Sequence, residues 1–339
     1  MKNTIENNMN IVQSNLFGGA YILKQKITRD KLEDVLFNKL HGINLQQLIN
    51  IITNEFDETI AYLALRNGAK TCQKTSLLFN PHRLSTRTSN SKLSILEALS
   101  NKEFYSGLSR AILFDQKKRM NSGIGKDLLY LVIRLGINGV QYINEFPPHV
   151  ARDLYKEYYL DSTSRILDPC AGWGGRMIGA SVVSNYYDCY EPCSETYEGL
   201  LNLSKFINQI DSYFKANIYK IPFEDAELES NYYDFALTSP PYYDTEVYTS
   251  ENTNSLNRYN TFDKWCNSFY IPLIAKTMNA LKPGKSFILN IGSRNYPLNK
   301  VLLNNFSNEY QINKIKTRLS GTTGLGKSGE GESFYEITK

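Results

Sequence analysis

Ser239-Pro240-Pro241-Tyr242 sets a hydroxyl, two prolines and an aromatic ring directly behind a short apolar run, Phe235-Ala236-Leu237-Thr238. Successive prolines fix φ twice and remove two N–H donors, which leaves a stiff turn with exposed carbonyls. A rigid hydroxyl beside a rigid carbonyl suits a particular task. The exocyclic amino nitrogen of cytosine or adenine has its lone pair delocalised into the ring and is a poor nucleophile. Hydrogen bonds from its two N–H groups, to Ser239 and to a proline carbonyl, favour a pyramidal nitrogen with a localised pair. Tyr242 supplies a face on which an extruded base stacks. Group transfer to such a nitrogen is in line, so positioning carries much of the catalysis.

A second constellation lies about 70 residues upstream, in the stretch Asp168-Pro169-Cys170-Ala171-Gly172-Trp173-Gly174-Gly175-Arg176. Its glycines let backbone approach a ligand, and the helix expected after it begins with unpaired N–H groups. The acid at the start suits a ligand with a cationic amino group better than a pyrophosphate. S-adenosylmethionine, with an ammonium and a sulfonium, is such a ligand. Glu191 ends the next strand and is placed to accept both ribose hydroxyls. Pro222-Phe223-Glu224-Asp225 follows the third strand, KANIYKI, and offers an acid for the adenine amino group and an aromatic face for its ring. The cofactor set is thus Asp168, Cys170, Ala171, Gly172, Gly174, Glu191, Phe223, Glu224 and Asp225.

These groups need a scaffold that brings strand ends together. From Pro147-Pro148 onward the chain alternates SRILD, MIGASVVS, YYDCYE, SETYEGLLNLSKFI, YYDFALTS, FYIPLIAKTMNAL and SFILNIGS. Strands alternating with helices predict a doubly wound α/β fold with a mostly parallel sheet. NKIKTRLS and SFYEITK read as a closing pair of strands. The preceding region, 1–146, reads as mainly helical: TRDKLEDVLFNKL, INLQQLINIITNEF, ETIAYLALRNGAK, SKLSILEAL and KDLLYLVIRLG carry helical spacing, while Asn80 to Ser91 reads as a loop.

Charge divides along the same line. Residues 1–150 hold 19 Lys+Arg against 12 Asp+Glu, and the remainder 19 against 22. The basic excess is densest from Pro81 to Lys126, so Arg83, Arg87, Lys117, Lys118 and Arg119 are candidate nucleic-acid contacts, with a solvated helical face as the other reading. Arg258, in the polar and aromatic stretch after Tyr242, is a candidate phosphate contact or an ordinary surface arginine. With 42% hydrophobic and 21% charged residues the chain can bury a core. Its longest apolar run, Leu128 to Ile137, is interrupted by Arg134, so no membrane span is expected. The start, MKNTIENNMN, has no apolar secretory stretch, and an intracellular location is expected. Five scattered cysteines (Cys72, Cys170, Cys189, Cys193, Cys266) and three separated histidines point to reduced thiols and no metal.

Two patterns are set aside. Gly321 to Ser328 fits the P-loop spacing, but a P-loop needs a helix and a further domain behind it, and SFYEITK reads as a strand. Pro169-Cys170 and Pro192-Cys193 sit at cofactor-side strand ends, away from the turn at which the base is expected, so a covalent cysteine mechanism is not expected.

DPCAGWGG followed by TSPPYYD resembles the DNA amino-methyltransferases, the N4-cytosine and N6-adenine enzymes, over roughly residues 147–295. The resemblance implies a Rossmann-like class I methyltransferase sheet, S-adenosylmethionine as cofactor, and Ser239, Pro240, Pro241 and Tyr242 as catalytic residues. It also implies DNA modification, as in restriction-modification or in phage and viral DNA. Ser in the first catalytic position is commoner among N4-cytosine enzymes, which favours cytosine N4 over adenine N6. The motif order, cofactor before catalytic, departs from many Ser-Pro-Pro-Tyr enzymes. Two alternatives remain: methylation of an RNA base or a protein glutamine amide, and an inactive nucleic-acid-binding module.

Overall fold

In a computed structural model of the chain, the described residues are 28–53, 56–70, 73–88, 93–119, 145–292, 295–315 and 333–339. The pattern read at KDLLYLVIRLG and the glycine loop 321–328 lie outside them. Along the chain come helices α1 (Arg29–Leu40), α2 (Leu45–Thr53), α3 (Glu58–Arg66), α4 (Gln73–Phe79), α5 (Ile95–Ala98), α6 (Lys102–Arg119) and α7 (Pro148–Glu157). There follow β1 (Arg165–Asp168), α8 (Gly175–Ser181), β2 (Tyr186–Tyr190), α9 (Ser194–Ile210), β3 (Lys215–Tyr219) and β4 (Phe235–Thr238). The chain closes with α10 (Ser255–Arg258), α11 (Phe262–Trp265), α12 (Ile271–Ala280), β5 (Ser286–Ile291), α13 (Leu298–Phe306), β6 (Gln311–Ile315) and β7 (Ser333–Thr338).

Two compact units result. One comprises residues 1–56 and 81–143, the other 57–80 and 144–339. Residues 57–80, with α3 and α4, group with the sheet and not with the rest of the region 1–146. In the first unit α1 buries Leu32, Leu36 and Leu40, and Phe37 meets Tyr105 of α6 edge-on at 5.2 Å. Asn80 to Ser91, expected as a loop, contains a 3-10 turn at Pro81–Ser85.

The second unit is built on seven strands in the order β3-β2-β1-β4-β5-β7-β6. β1 to β5 run parallel, and β7 is antiparallel to both β5 and β6. This is a Rossmann-like, mostly parallel α/β sheet, with the expected closing pair of strands. The central strands are covered on both faces: Ile166, Leu167, Phe235, Leu237, Phe287, Ile288 and Leu289 are all buried. That is why they read as short continuous apolar runs, whereas edge strand β3 alternates. A π-helical turn at Cys266–Tyr270 separates α11 from α12. It lies where Pro272 has no N–H to return to the preceding turn.

α4 reaches this unit through a close approach. A Cβ at Gly199, inside α9, would stand 2.2 Å from Asn80 Oδ1 and 2.5 Å from the Phe79 carbonyl. Asn80 Nδ2 donates to the carbonyl of Trp173, in the glycine turn, at 3.1 Å. Thus residues 57–80 support the turn as well as the fold.

Candidate active site

β1 and β4 are neighbours at the point where strand order reverses, and both chemistry-bearing turns leave the sheet there, at the carboxyl ends of the strands. In open α/β sheets this reversal opens a binding crevice. Asp168 closes β1 and is fully buried. Its Oδ1 accepts from Thr238 Oγ1 at 2.8 Å and from Cys170 N at 3.2 Å. Its Oδ2 accepts from Arg176 Nε at 2.7 Å and from Tyr187 OH at 2.5 Å. Four donors occupy the carboxylate, so the expected contact between Asp168 and a ligand's amino group is corrected. The acid is an internal hub that ties β1, β2, β4 and α8 together.

The turn itself has left-handed backbone at Gly172 (φ 53°) and Gly174 (φ 85°), a region that favours glycine. Ala171 N bonds the carbonyl of Tyr190 at 2.9 Å, which seats the turn on the end of β2. Gly172 N donates to Glu191 Oε2 at 3.1 Å, and Cys193 N to Glu191 Oε1 at 2.9 Å. Glu191 is only partly covered, yet burial pushes its pKa up to about 7 against these two stabilising bonds. Burial also pushes the Cys170 thiol well above its usual range, unlike an activated nucleophile.

Beyond β3 the expected face of Phe223 is corrected. Phe223 is buried, edge-on to Tyr190 at 4.9 Å, and belongs to the core. Glu224 has a side chain only 4% exposed. Its Oε1 accepts from Arg258 at 3.0 Å and from Tyr259 OH at 3.2 Å, while Oε2 has no hydrogen-bond partner among the described residues. Burial raises the Glu224 pKa. Asp225 receives Arg258 through both oxygens, at 2.7 and 3.0 Å. Arg258 is therefore committed to two acids, and its expected role as a phosphate contact is corrected.

On the other side of the crevice, Ser239 Oγ lies 3.0 Å from Tyr242 OH. Tyr242 OH donates to the carbonyl of Asn290, at the end of β5, at 3.4 Å. Either hydroxyl can donate in the Ser239–Tyr242 bond; when Ser239 donates, its lone pairs are available as acceptors. Pro240 is buried and Pro241 partly so, as a stiff turn requires. Tyr243 follows with left-handed φ of 56°, an uncommon value for a bulky residue. Its ring is held by Tyr296 at 5.1 Å, Phe262 at 5.7 Å and Trp265 at 5.9 Å. This aromatic packing offsets the backbone cost and fixes where the chain turns away from Tyr242.

Among the candidate nucleic-acid contacts, Arg83 is buried, which corrects its reading as a surface contact. Arg87 is half exposed and bonds Glu97 through Nε at 2.9 Å and through a second nitrogen. That pairing, with a bond from Ser94, holds the Glu97 carboxyl down at about 2. Lys117, Lys118 and Arg119 lie in α6, but their side chains fall outside the described residues. Sequence reading missed Thr238, Arg176, Tyr187 and Asn80 as supports of the site, and Glu251, whose carboxylate accepts from Ser194 N at 3.0 Å and Ser194 Oγ at 2.9 Å.

Among the described residues no group of three or more His, Cys, Asp or Glu is arranged to hold a metal, and no helix is long and apolar enough to cross a membrane. No protein-family model matches the chain, and no curated protein sequence does. Solved structures with a similar fold include a candidate methyltransferase from Streptococcus mutans in complex with SAH, at 13% identity, 57% of this chain, 98% of that one and a TM-score of 0.37. An rRNA methylase from Streptococcus thermophilus aligns at 12% identity, 58% of this chain, 98% of that one and 0.37. TrmN from Thermus thermophilus aligns at 13%, over 57% of this chain but 49% of its own length, at 0.38. At these identities each likeness is one of fold only.

Proposed function

We propose that the chain is an S-adenosylmethionine-dependent methyltransferase acting on an exocyclic amino group of a nucleic-acid base, cytosine N4 before adenine N6. One observation carries the reading: Thr238, the residue before the Ser-Pro-Pro-Tyr turn, bonds Asp168 at 2.8 Å and Cys170 N at 3.1 Å. A glycine turn and an amine-activating turn thus share one crevice at the strand-order reversal.

The residues fit the cofactor. Glu191 is partly open and keeps unused lone pairs toward ribose hydroxyls. Glu224 offers a buried oxygen without a donor, suited to an adenine amino group. Gly172 leaves the turn without a side chain where the ligand would pass, whereas Gly174 makes room for Leu200 and Leu203 of α9. When bound, S-adenosylmethionine supplies an electrophilic methyl on a sulfonium. Ser239, its proton directed to Tyr242, accepts one N–H of the target amino group, and the Pro240 carbonyl accepts the other. The lone pair so localised points at the crevice, and the Tyr242 ring supports the base. The basic half of the chain, 1–150, is proposed to attract the polyanion, which makes binding salt-sensitive.

The test is methyl transfer from labelled S-adenosylmethionine to DNA and to RNA, followed by nucleoside mass spectrometry. N4-methylcytosine or N6-methyladenine in either polymer supports the reading and decides the base and the polymer together. Label absent from both, with cofactor bound, overturns it in favour of a protein amide.

A further inference from the structure

The segment after Tyr242 folds back over the cofactor-side strand ends. Tyr248 meets Trp173 of the glycine turn, with ring centroids 5.9 Å apart. Glu251 caps the start of α9 through Ser194, and Thr253 Oγ1 donates to the carbonyl of Pro192 at 3.2 Å. Arg258 then grips the turn after β3. One guanidinium nitrogen bridges Glu224 Oε1 (3.0 Å) and Asp225 Oδ2 (2.7 Å), and the other bonds Asp225 Oδ1 (3.0 Å). A strap that starts at the catalytic turn therefore ends on the acid with the unpaired oxygen.

The geometry of Glu224 is specific. Its Oε1 is filled by Arg258 and Tyr259, and Lys276 Nζ holds the carbonyls of Glu224 and Ala226, the latter at 2.9 Å. Such clamping leaves Oε2 buried and in need of a donor. Glu191 and Glu224 follow adjacent parallel strands, whose spacing of about 4.8 Å separates a ribose contact from a contact to the attached base. We propose that Arg258 is a positioning residue of the cofactor seat: it fixes Glu224 so that Oε2 meets the 6-amino group of the adenosyl moiety. This rests on the methyltransferase reading. Retention of the cofactor is thereby tied to the strap that leaves the catalytic turn.

The experiment is calorimetric binding of two probes, S-adenosylhomocysteine and S-inosylhomocysteine, in which a 6-oxo group replaces the 6-amino group. Wild-type protein is expected to favour the adenosyl probe by ~10-fold, about 1.4 kcal/mol. Arg258→Gln is expected to weaken the adenosyl probe and to shrink the preference to ~2-fold, with Arg258→Lys in between, since an ammonium lacks the fork that spans two acids. Asp225→Asn, which loosens Arg258 without touching Glu224, is expected to shrink it as well and serves if Arg258→Gln does not fold. Equal weakening of both probes, with the preference intact, overturns the proposal by reducing Arg258 to a structural role. No preference in the wild-type protein overturns it at Glu224. If wild-type protein binds neither probe, the methyltransferase reading itself fails and the proposal falls with it.

Discussion

Thr238 Oγ1 stands 2.8 Å from Asp168 Oδ1, so the last residues of β4 and β1 are bonded to each other immediately before the glycine turn and the Ser-Pro-Pro-Tyr turn. Thr238→Val keeps the shape of the side chain and removes that donor. It should lower unfolding free energy by about 1–2 kcal/mol. Asp168→Ala should cost more, about 3–5 kcal/mol, because Arg176 loses its carboxylate in a fully buried site. Urea unfolding with an unchanged m-value reads both. An Asp168→Ala protein as stable as the wild type would refute the hub.

The hydroxyl of Tyr242 links Ser239 to the Asn290 carbonyl. Tyr242→Phe keeps the ring and deletes the link, so kcat should fall by ~10-fold while KM stays within ~3-fold. Tyr242→Ala should raise KM as well, since the stacking face is lost. An unchanged kcat in the Phe variant would show that Ser239 needs no orienting partner.

Loss of hydration pushes the Glu191 carboxyl up to about 7 from its ordinary 4.5, although its surface is only partly covered. The folded state thus holds this proton after the unfolded chain has released it. Its contribution to stability is intact below about pH 4.5, declines as pH rises, and is lost above about 7. Affinity for S-adenosylhomocysteine should move the other way, rising up to about pH 7 as the carboxylate becomes able to accept ribose hydroxyls. Glu191→Gln should flatten both curves, measured by thermal melting and calorimetry. A wild-type binding curve flat from about pH 5.5 to 8.5 would remove Glu191 from the cofactor seat.

Gly199→Ala forces a methyl against the Phe79 carbonyl, a backbone atom, and against the side-chain Oδ1 of Asn80, whose amide is tied to the Trp173 carbonyl. A loss of about 1–3 kcal/mol is expected. Neutral stability would mean that α4 does not press on α9.

The strands and their order of appearance were legible because central parallel strands are short apolar runs ended by turn residues, as in Ile166-Leu167-Asp168 and Phe235-Ala236-Leu237-Thr238. Both turns were legible for a similar reason: glycine and proline are chosen for backbone geometry, which is local. The partners of Asp168 were not, because Arg176, Tyr187 and Thr238 meet it across separations of 8, 19 and 70 residues, and pattern reading does not pair distant side chains. An acid at a strand end looks the same whether it faces a ligand or an arginine. Phe223 failed for the converse reason: an aromatic after a strand reads equally as a ligand face or as core. α6 and α13 were not singled out, since charged and polar residues interrupt the apolar spacing in KEFYSGLSRAILFDQKKR and LNKVLLNNF. The grouping of 57–80 with the sheet left one trace, a glycine in the middle of an otherwise regular helix at position 199.

The span from Asp168 to Thr238 also sets an order of assembly. Ribosomes add about 5–20 residues per second, so roughly 4–14 s separate the emergence of the first turn from that of the strand that braces it. Closing so long a loop must precede any reward from the contact. A growing chain therefore carries its glycine turn for several seconds before it has a crevice, and a fragment that stops short of residue 238 lacks one however well its first three strands pair.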